Sequence, residues 1–351
     1  MFAGQTIKLH EEIATIAKCA TLNAELRRLH SVRPGTLPSI NPYENIPMPG
    51  RADWAVYDHC AGITRLYAIY ERFVRDLVTA WLKLIPSLFA TYSVLPDSLR
   101  KQHILGVARV LPRLGDRRYQ HLATDQIIGG LYRGQMGGQE YELLYELFAI
   151  TERNLRLDAL VELFSRVAIP DIKTWLDYHH DLQSFMSTTC GGQETVDSKL
   201  NALVSYRNEA AHGEDVGQVI GLNDFLDLVA FIQTLCVAVA ECAFHCVCEC
   251  QVTNSSMITL GKVTEVFPIP RAVVAVLTNS ETAVGQEVVI MNNTSCKQAK
   301  IISLQLNGAP IQTAVVTSPT ELGIKFDFLP AKGSQMLALR PTLNEYIGAF
   351  I

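Results

Sequence analysis

The sequence predicts an α+β protein of two parts, an all-α helical bundle followed by a small C-terminal β barrel. One reason is the length of 351 residues, which is enough for about two domains of ordinary size. The other is the spacing of apolar residues, which changes once, near residue 255, from helical periodicity to short β-branched runs. We expect an N-terminal helix and connector in 1–50, a helical domain in 51–255, a barrel in 256–341 and a tail in 342–351.

Helical periodicity marks seven segments before residue 255. The clearest is Val56–Leu84, in which apolar residues form one stripe and which Pro86 is expected to end. Gly129–Gly138 is rich in glycine and predicts a loop, and Pro34–Pro49 predicts an extended connector because proline cannot continue a helix. The other predicted helices are Ile7–Leu29, Ser98–Val110, Asn154–Val167, Ile172–Thr188, Val196–Ala211 and Leu222–Glu249.

Short β-branched runs follow Thr253 and alternate with turn signals such as Asn279-Ser280 and Asn307-Gly308. Several short strands at regular spacing are typical of a small closed barrel or a sandwich. The predicted strands are Ile258–Val266, Arg271–Leu277, Glu287–Met291, Ala299–Leu306, Ile311–Val316, Gly323–Phe326 and Met336–Leu339.

Composition favours a globular, cytoplasmic protein with reduced cysteines. Apolar residues make up 48% of the chain and charged residues 19%, so a sizeable core is available. The formal net charge of −5 excludes a uniformly basic nucleic-acid coat but allows a local basic site. Met1–Lys18 holds no apolar run typical of a secretory signal, and the most apolar stretch, Leu228–Ala240, is too short to span a bilayer. We therefore expect no membrane partner.

The segment Ser205–Gly213 carries the strongest candidate for chemistry. It places Arg207 and His212 five residues apart near the predicted end of a helix. Cleavage of RNA without a metal needs a base for the 2′-hydroxyl, a cation for the phosphorane and an acid for the leaving 5′-oxygen. Histidine can serve as base or acid near neutral pH, and arginine binds phosphate oxygens while it stays charged.

The spacing limits how one chain could use this pair. Positions five apart on a regular helix differ by about 140° in direction, so they do not share a face. Either the helix ends between them, or the site forms where two copies of the chain meet and two arginines and two histidines converge. The spacing alone is also typical of a surface arginine followed by a histidine that caps a helix end.

The motif Arg207-Asn208-Glu209-Ala210-Ala211-His212-Gly213 lies between two apolar helices and resembles the signature of HEPN domains. The upstream segment Ala61–Val74 resembles the opening helix of the RiboL-PSP-like and MAE_28990-like branches of these domains, and Asn154–Ile169 is similar to the same group. The resemblance covers about residues 51–252.

The HEPN resemblance implies an all-α bundle that dimerises across the motif helices and, in active members, a metal-independent endoribonuclease that needs no cofactor. Such members typically act as toxins or as abortive-infection effectors in antiviral defence, and an antitoxin or defence partner protein could hold the enzyme silent. The resemblance gives catalytic roles to Arg207 and His212, and supporting roles to Asn208 and to Glu71 on the opening helix. The alternative is a non-catalytic RNA- or protein-binding regulator that uses the dimer and the barrel as docking modules.

The C-terminal region resembles the β barrel of the second domain of translation elongation factor Tu. This resemblance implies a tRNA- or ribosome-associated substrate, although a barrel that packs on the dimer or docks another protein fits equally well. No Gly-x4-Gly-Lys-Ser/Thr phosphate loop occurs in the sequence, which excludes a GTPase of that type. The matching segments are Gly261–Val266, Val284–Ile290, Ala299–Gly308 and Glu321–Phe326.

Two further clusters have a functional and a structural interpretation. A basic run could lead the RNA backbone into the cleft, although such runs are usually solvated helix faces. The cysteines of Cys242–Cys250 lack a distal pair of ligands, so buried thiols are favoured over a zinc site and we predict no metal. The arginines of the basic run assigned to RNA binding are Arg109, Arg113, Arg117 and Arg118.

Overall fold

A computed structural model of the protein describes residues 3–30, 49–137, 141–149, 153–169, 171–189, 191, 194–212, 216 and 218–339. Helices fill the N-terminal region and a closed β barrel follows, so the predicted α+β class is confirmed. Residues 34–48 of the predicted connector and the predicted tail lie outside the described residues.

Ten α-helices occupy the described part of the N-terminal region. Each of the seven predicted helical segments contains helix, and two helices come in addition to them. The helices are α1 (Ala3–His30), α2 (Arg51–Leu88), α3 (Asp97–Val110), α4 (Thr124–Gln135), α5 (Tyr145–Phe148), α6 (Leu157–Arg166), α7 (Ile172–Tyr178), α8 (His180–Thr189), α9 (Val196–His212) and α10 (Leu222–Thr253).

Helix α2 organises the bundle, because α1, α9 and α10 all pack against it. Its buried positions recur every three or four residues from Ile63 to Ile85, which is the predicted apolar stripe. Pro86 lies inside the last turn instead of ending the helix. The Phe89 N–H still donates to the Ile85 carbonyl at 2.9 Å, so the turn closes beyond the proline.

Helix α10 is the apolar helix of the core and packs against α1, α2, α7 and α8. With 32 residues it is much longer than its most apolar stretch, Leu228–Ala240, and by length and composition alone it could cross a membrane. Within its most apolar window, 61% of the residues are buried inside the protein, which is typical of a core helix.

Helix α4 falls in the glycine-rich region that was predicted to be a loop. Two of its glycines, Gly130 and Gly134, allow other parts of the chain to pack closely against the helix, and they do not form a turn. A Cβ on Gly134 would lie 2.8 Å from the ring of Tyr92, and one on Gly130 would lie 3.3 Å from the Glu142 carbonyl oxygen. The sequence prediction of a loop was wrong because glycine also permits helices to approach each other closely.

The predicted helix Ile172–Thr188 is divided into α7 and α8 at His179. This residue is extended, and its Nδ1 accepts a hydrogen bond from the Leu182 N–H at 3.3 Å. Its Nε2 lies 3.2 Å from a carboxylate oxygen of Glu241 on α10. The histidine therefore satisfies a free N–H group at the start of α8, as a capping side chain does.

Nine strands make up the described C-terminal region. Six of them close into a barrel in the order β4-β9-β1-β2-β8-β5, with β5 pairing back to β4 and every neighbour antiparallel. The strands are β1 (Met257–Phe267), β2 (Ala272–Leu277), β3 (Ser280–Ala283), β4 (Glu287–Asn292), β5 (Ser295–Leu306), β6 (Ala309–Ile311), β7 (Thr313–Val316), β8 (Thr320–Phe326) and β9 (Gln335–Leu339).

The barrel packs directly on the bundle, and a buried carboxylate marks the junction. Glu241 of α10 accepts hydrogen bonds from the Ser295 hydroxyl at 3.3 Å and the Cys296 N–H at 3.2 Å. Lys297 on the same strand forms ion pairs with Glu241, at 3.7 Å, and with Asp181 of α8. Apolar barrel residues complete the contact and belong to the core of the bundle: Met257, Val289, Met291 and Leu337.

Candidate active site on helices α2 and α9

Helix α9 places the motif at the edge of the bundle. Leu200, Leu203 and Val204 are buried, and the helix packs against α2. Arg207 and Asn208 follow and are half-buried. The apolar face of the helix therefore fixes the polar motif residues where the contact between α2 and α9 meets the surface.

Three side chains hold the guanidinium of Arg207. Its Nη1 donates to Asn208 Oδ1 at 3.1 Å and to Asn154 Oδ1 at 3.4 Å. The ring of Tyr67 lies under the guanidinium carbon at 5.0 Å, within the range of a cation–π contact. Asn154 Nδ2 also donates to Asn208 Oδ1 at 3.3 Å. We call Tyr67, Asn154 and Asn208 the Arg207 cradle.

The hydroxyl of Tyr67 ties the cradle to Glu71. It donates to Glu71 Oε1 at 2.7 Å and accepts from the Leu155 N–H at 2.9 Å. Burial and the bond to Glu71 raise the pKa of Tyr67, so the phenol stays protonated at neutral pH. Glu71 thus lies next to the predicted site, but in the described structure it contacts Arg207 only through Tyr67.

No carboxylate forms an ion pair with Arg207 among the described residues. Amide oxygens and an aromatic face orient the guanidinium without cancelling its charge, which leaves that charge available to an anion. Other arginines in the described part of the helical region do pair with carboxylates, among them Arg27, Arg28, Arg65, Arg72, Arg75, Arg100, Arg113, Arg153 and Arg166.

The second predicted catalytic residue, His212, is the last residue of α9. Its side chain lies outside the described part of the structure. The sequence left open whether the helix ends between Arg207 and His212. The backbone excludes this alternative, because α9 continues without a break from Arg207 to His212. The two positions are therefore about 140° apart around one regular helix.

A buried histidine that the sequence did not single out lies next to the motif. The ring centroid of His59 on α2 is 5.7 Å from that of Tyr206, in an edge-to-face arrangement. Burial lowers the pKa of His59, and Glu209 partly opposes this shift, so the imidazole is neutral at neutral pH. Among the described residues, neither ring nitrogen has a hydrogen-bond partner.

Arg109, which the sequence assigned to RNA binding, turns toward the protein. Its Nη2 donates to the carbonyl oxygens of Glu146 at 3.3 Å and Leu147 at 3.0 Å. Burial, together with neighbouring positive charges, lowers its pKa. These contacts give Arg109 a role in joining α3 to the segment around α5.

The other three arginines of the predicted RNA-binding run gather near Tyr119. The guanidinium carbons of Arg113 and Arg118 lie 5.6 and 6.0 Å from the centre of the Tyr119 ring. Arg113 also forms an ion pair with Asp116 at 3.0 Å, and Arg117 is exposed. We call Arg113, Arg117 and Arg118 the basic patch.

Tyr145 interacts electrostatically with Arg118 of the basic patch and with Glu71, the hydrogen-bond partner of Tyr67. Burial raises the pKa of its phenol, the positive charges of Arg75 and Arg118 oppose that shift, and Glu71 adds to it.

The Cys242–Cys250 segment lies within α10. Cys242 and Cys248 are buried, and a hydrogen bond from Cys242 together with the neighbouring His245 lowers the pKa of Cys246. In the described chain, no three His, Cys, Asp or Glu side chains are grouped as metal ligands. The absence of a metal and of a cofactor stays a prediction.

Sequence reasoning missed two residues of the cradle. Hydrophobic periodicity places Tyr67 in the apolar stripe of α2, where its ring does lie, but periodicity gives no sign of the hydrogen bonds that its hydroxyl forms. Asn154 was assigned to the start of a helix, whereas α6 begins at Leu157 and Asn154 precedes it. The Tyr67–Glu71 pair at i,i+4 spacing was the one available signal, since such positions are neighbours on a helix.

Comparison with known proteins finds a family match for the helical region but not for the barrel. A search of curated proteins finds no match to the chain. A family model described as RiboL-PSP-HEPN matches residues 41–243, which is more than half of the chain. The match includes α2, the cradle and all of α9, and it ends within α10. The barrel lies beyond the match, and its resemblance to elongation factor Tu stays a prediction. The chain belongs to the RiboL-PSP-HEPN family.

Proposed function

We propose that this protein is a metal-independent endoribonuclease that cleaves RNA, with tRNA as one candidate substrate, at a site shared by two copies of the chain. Arg207 holds the scissile phosphate and stabilises the charge that develops on it. His212 transfers protons during attack by the 2′-hydroxyl, which leaves a 2′,3′-cyclic phosphate and a 5′-hydroxyl. Its biological role is that of a toxin or an abortive-infection effector, under the control of an antitoxin or another defence partner.

The observation that carries this proposal is the state of Arg207. The guanidinium is oriented by Tyr67, Asn154 and Asn208, all of them neutral, and in the described residues no carboxylate neutralises it. A phosphate is the natural partner of such a group, because two parallel N–H···O bonds can form with it.

The helix geometry supports the dimer. Arg207 and His212 are about 140° apart on one unbroken helix, so a single protomer does not present both positions to one phosphate. A two-fold axis beside α9 would bring each arginine toward the histidine of the other copy.

The proposal is tested with purified protein, total tRNA and mRNA in the presence of EDTA. Wild type is expected to cut RNA and to leave termini that carry a 2′,3′-cyclic phosphate and a 5′-hydroxyl. Arg207→Ala and His212→Ala are expected to lose at least about 100-fold in rate, which is the usual effect of removing a charge-stabilising or proton-transfer group. Arg28→Ala is the matched control, since this exposed arginine is already paired with a carboxylate, that of Glu25 on α1.

The outcome also separates the alternative function. If wild type binds RNA without cutting it, and if His212→Ala binds equally well, the protein is a non-catalytic binding regulator. Cleavage by Arg207→Ala at the rate of wild type would refute the assigned mechanism. Sedimentation analysis checks the dimer, because a strictly monomeric active protein would contradict the shared site.

A further inference from the structure

Three consecutive residues join the motif helix to α2. Asn154 contacts Arg207 and Asn208, Leu155 contacts Tyr67 through its N–H, and Arg156 Nη1 donates to Asn201 Oδ1 on α9. We call residues 154–156 the bridging segment. Asn154 and Arg156 form polar contacts with α9 and Leu155 forms one with α2, but only Asn154 reaches Arg207.

The orientation of the Asn154 amide is fixed by two contacts at once. Its Oδ1 accepts from Arg207 at 3.4 Å, and its Nδ2 donates to Asn208 Oδ1 at 3.3 Å. Rotation of the amide by 180° would place an N–H group against the guanidinium and an oxygen against the oxygen of Asn208, and both contacts would be lost. The side chain therefore holds one rotamer and one direction.

The contacts of Arg207 all use one part of its guanidinium. Nη1 donates to the two amides, and the ring of Tyr67 covers one face. The edge formed by Nε and Nη2 makes no hydrogen bond to any described residue. This edge is a two-donor fork that matches two oxygens of a phosphate.

We infer that Asn154 and Tyr67 are positioning residues that aim the Nε–Nη2 edge of Arg207 at a substrate phosphate, an inference that rests on the proposed nuclease function. Asn154 fixes the rotation of the guanidinium through Nη1, and Tyr67 fixes its plane. Neither residue touches the phosphate. Small displacements of a charge-stabilising group cost up to about 100-fold in rate, so loss of either contact lowers the rate of cleavage.

The decisive variants change Asn154 in two ways. Asn154→Ala removes both amide contacts, and we expect a fall of about 10- to 100-fold in kcat with KM and the melting temperature nearly unchanged. Asn154→Asp keeps the oxygen that accepts from Arg207 but adds a negative charge, which pairs with the guanidinium. We expect this variant to lose at least as much activity and to lower the salt dependence of RNA binding by about one phosphate contact.

Asn201→Ala is the matched control for Asn154→Ala. It also removes an asparagine–arginine hydrogen bond between α9 and the bridging segment, but not one to Arg207. We expect it to cut RNA like wild type. Tyr67→Phe keeps the aromatic face and should retain more activity than Tyr67→Leu, which loses that face.

Equal kcat for wild type, Asn154→Ala and Asn154→Asp would overturn the inference, and so would an equal loss in Asn154→Ala and Asn201→Ala. Failure of the proposed function looks different, because wild type itself would then leave RNA intact. In that case the inference is tested by the salt dependence of RNA binding. An unchanged salt dependence in Asn154→Asp would overturn the inference, and a reduced one would support it.

Discussion

His103 makes the fold sensitive to acid. This histidine of α3 has no exposed surface, and its Nδ1 lies 3.1 Å from the Tyr92 hydroxyl. Its ring is stacked on Phe148 with the two ring centres 6.0 Å apart. Because burial disfavours the charged imidazole, the pKa of His103 falls to about 4.

The sign of the effect follows from proton binding. The unfolded chain has a histidine pKa near 6.5, so below this pH the unfolded state holds a proton that the folded state lacks. The contribution of His103 to stability is complete above pH 6.5 and is lost progressively as the pH falls toward 4. The difference between the two pKa values corresponds to about 3 kcal/mol in the free energy of unfolding.

The test is urea unfolding of wild type and His103→Gln at several pH values between 7 and 4, followed by circular dichroism. The variant is expected to be less stable at pH 7, since it loses the stacked ring. When the pH falls from 6.5 to 4, the free energy of unfolding of the variant should decrease by about 3 kcal/mol less than that of wild type. His10→Gln, at an exposed position on α1, is the control and should follow the curve of wild type. Parallel curves for wild type and His103→Gln would refute the reasoning.

Two further predictions concern packing and the basic patch. Gly106→Ala places a Cβ 2.0 Å from the Leu147 carbonyl oxygen and should lower the free energy of unfolding by about 1–3 kcal/mol. In Gly129→Ala the new Cβ meets only the flexible end of the Arg133 side chain, so the free energy of unfolding should rise by up to about 1 kcal/mol. Thermal unfolding measures both changes. Arg118→Ala should weaken RNA binding and lower its salt dependence by about one phosphate contact. Arg109→Ala should lower the melting temperature instead, because its guanidinium holds backbone carbonyls.

Those parts of the fold that depend on periodicity could be predicted from the sequence. The stripe of α2 and the strands of the barrel are repeated patterns in which many residues agree. Helix α4 could not be predicted, because its glycines are explained only by the neighbours that pack on them, such as Tyr92 against Gly134. The break between α7 and α8 likewise depends on a side chain, His179, that caps α8 and meets Glu241.

The candidate site divides in the same way. Arg207 and Asn208 stand in a short motif that can be read from the chain, and the structure brings them into contact with each other. Asn154 is more than 50 residues away from both, so its contacts depend on how the bridging segment crosses between α2 and α9. Tyr67 carries a polar function at a position that hydrophobic periodicity assigns to the core.

The contrast between Arg207 and the paired arginines bears on the proposed site that two copies of the chain share. Arg72 and Arg166 each hold a carboxylate of their own bundle, Glu12 and Glu162, and their charges are balanced where they lie. Arg207 is instead held by two amide side chains and an aromatic ring, and no carboxylate among the described residues balances its charge. An anion that binds to this guanidinium would balance its charge and stabilise the folded protein. The unbroken α9 directs position 212 about 140° away from Arg207, so in the proposed mechanism the histidine that transfers the proton belongs to another protomer. The proposed shared site predicts that binding of RNA is coupled to pairing of two chains, so RNA should strengthen the dimer of wild type more than that of Arg207→Ala.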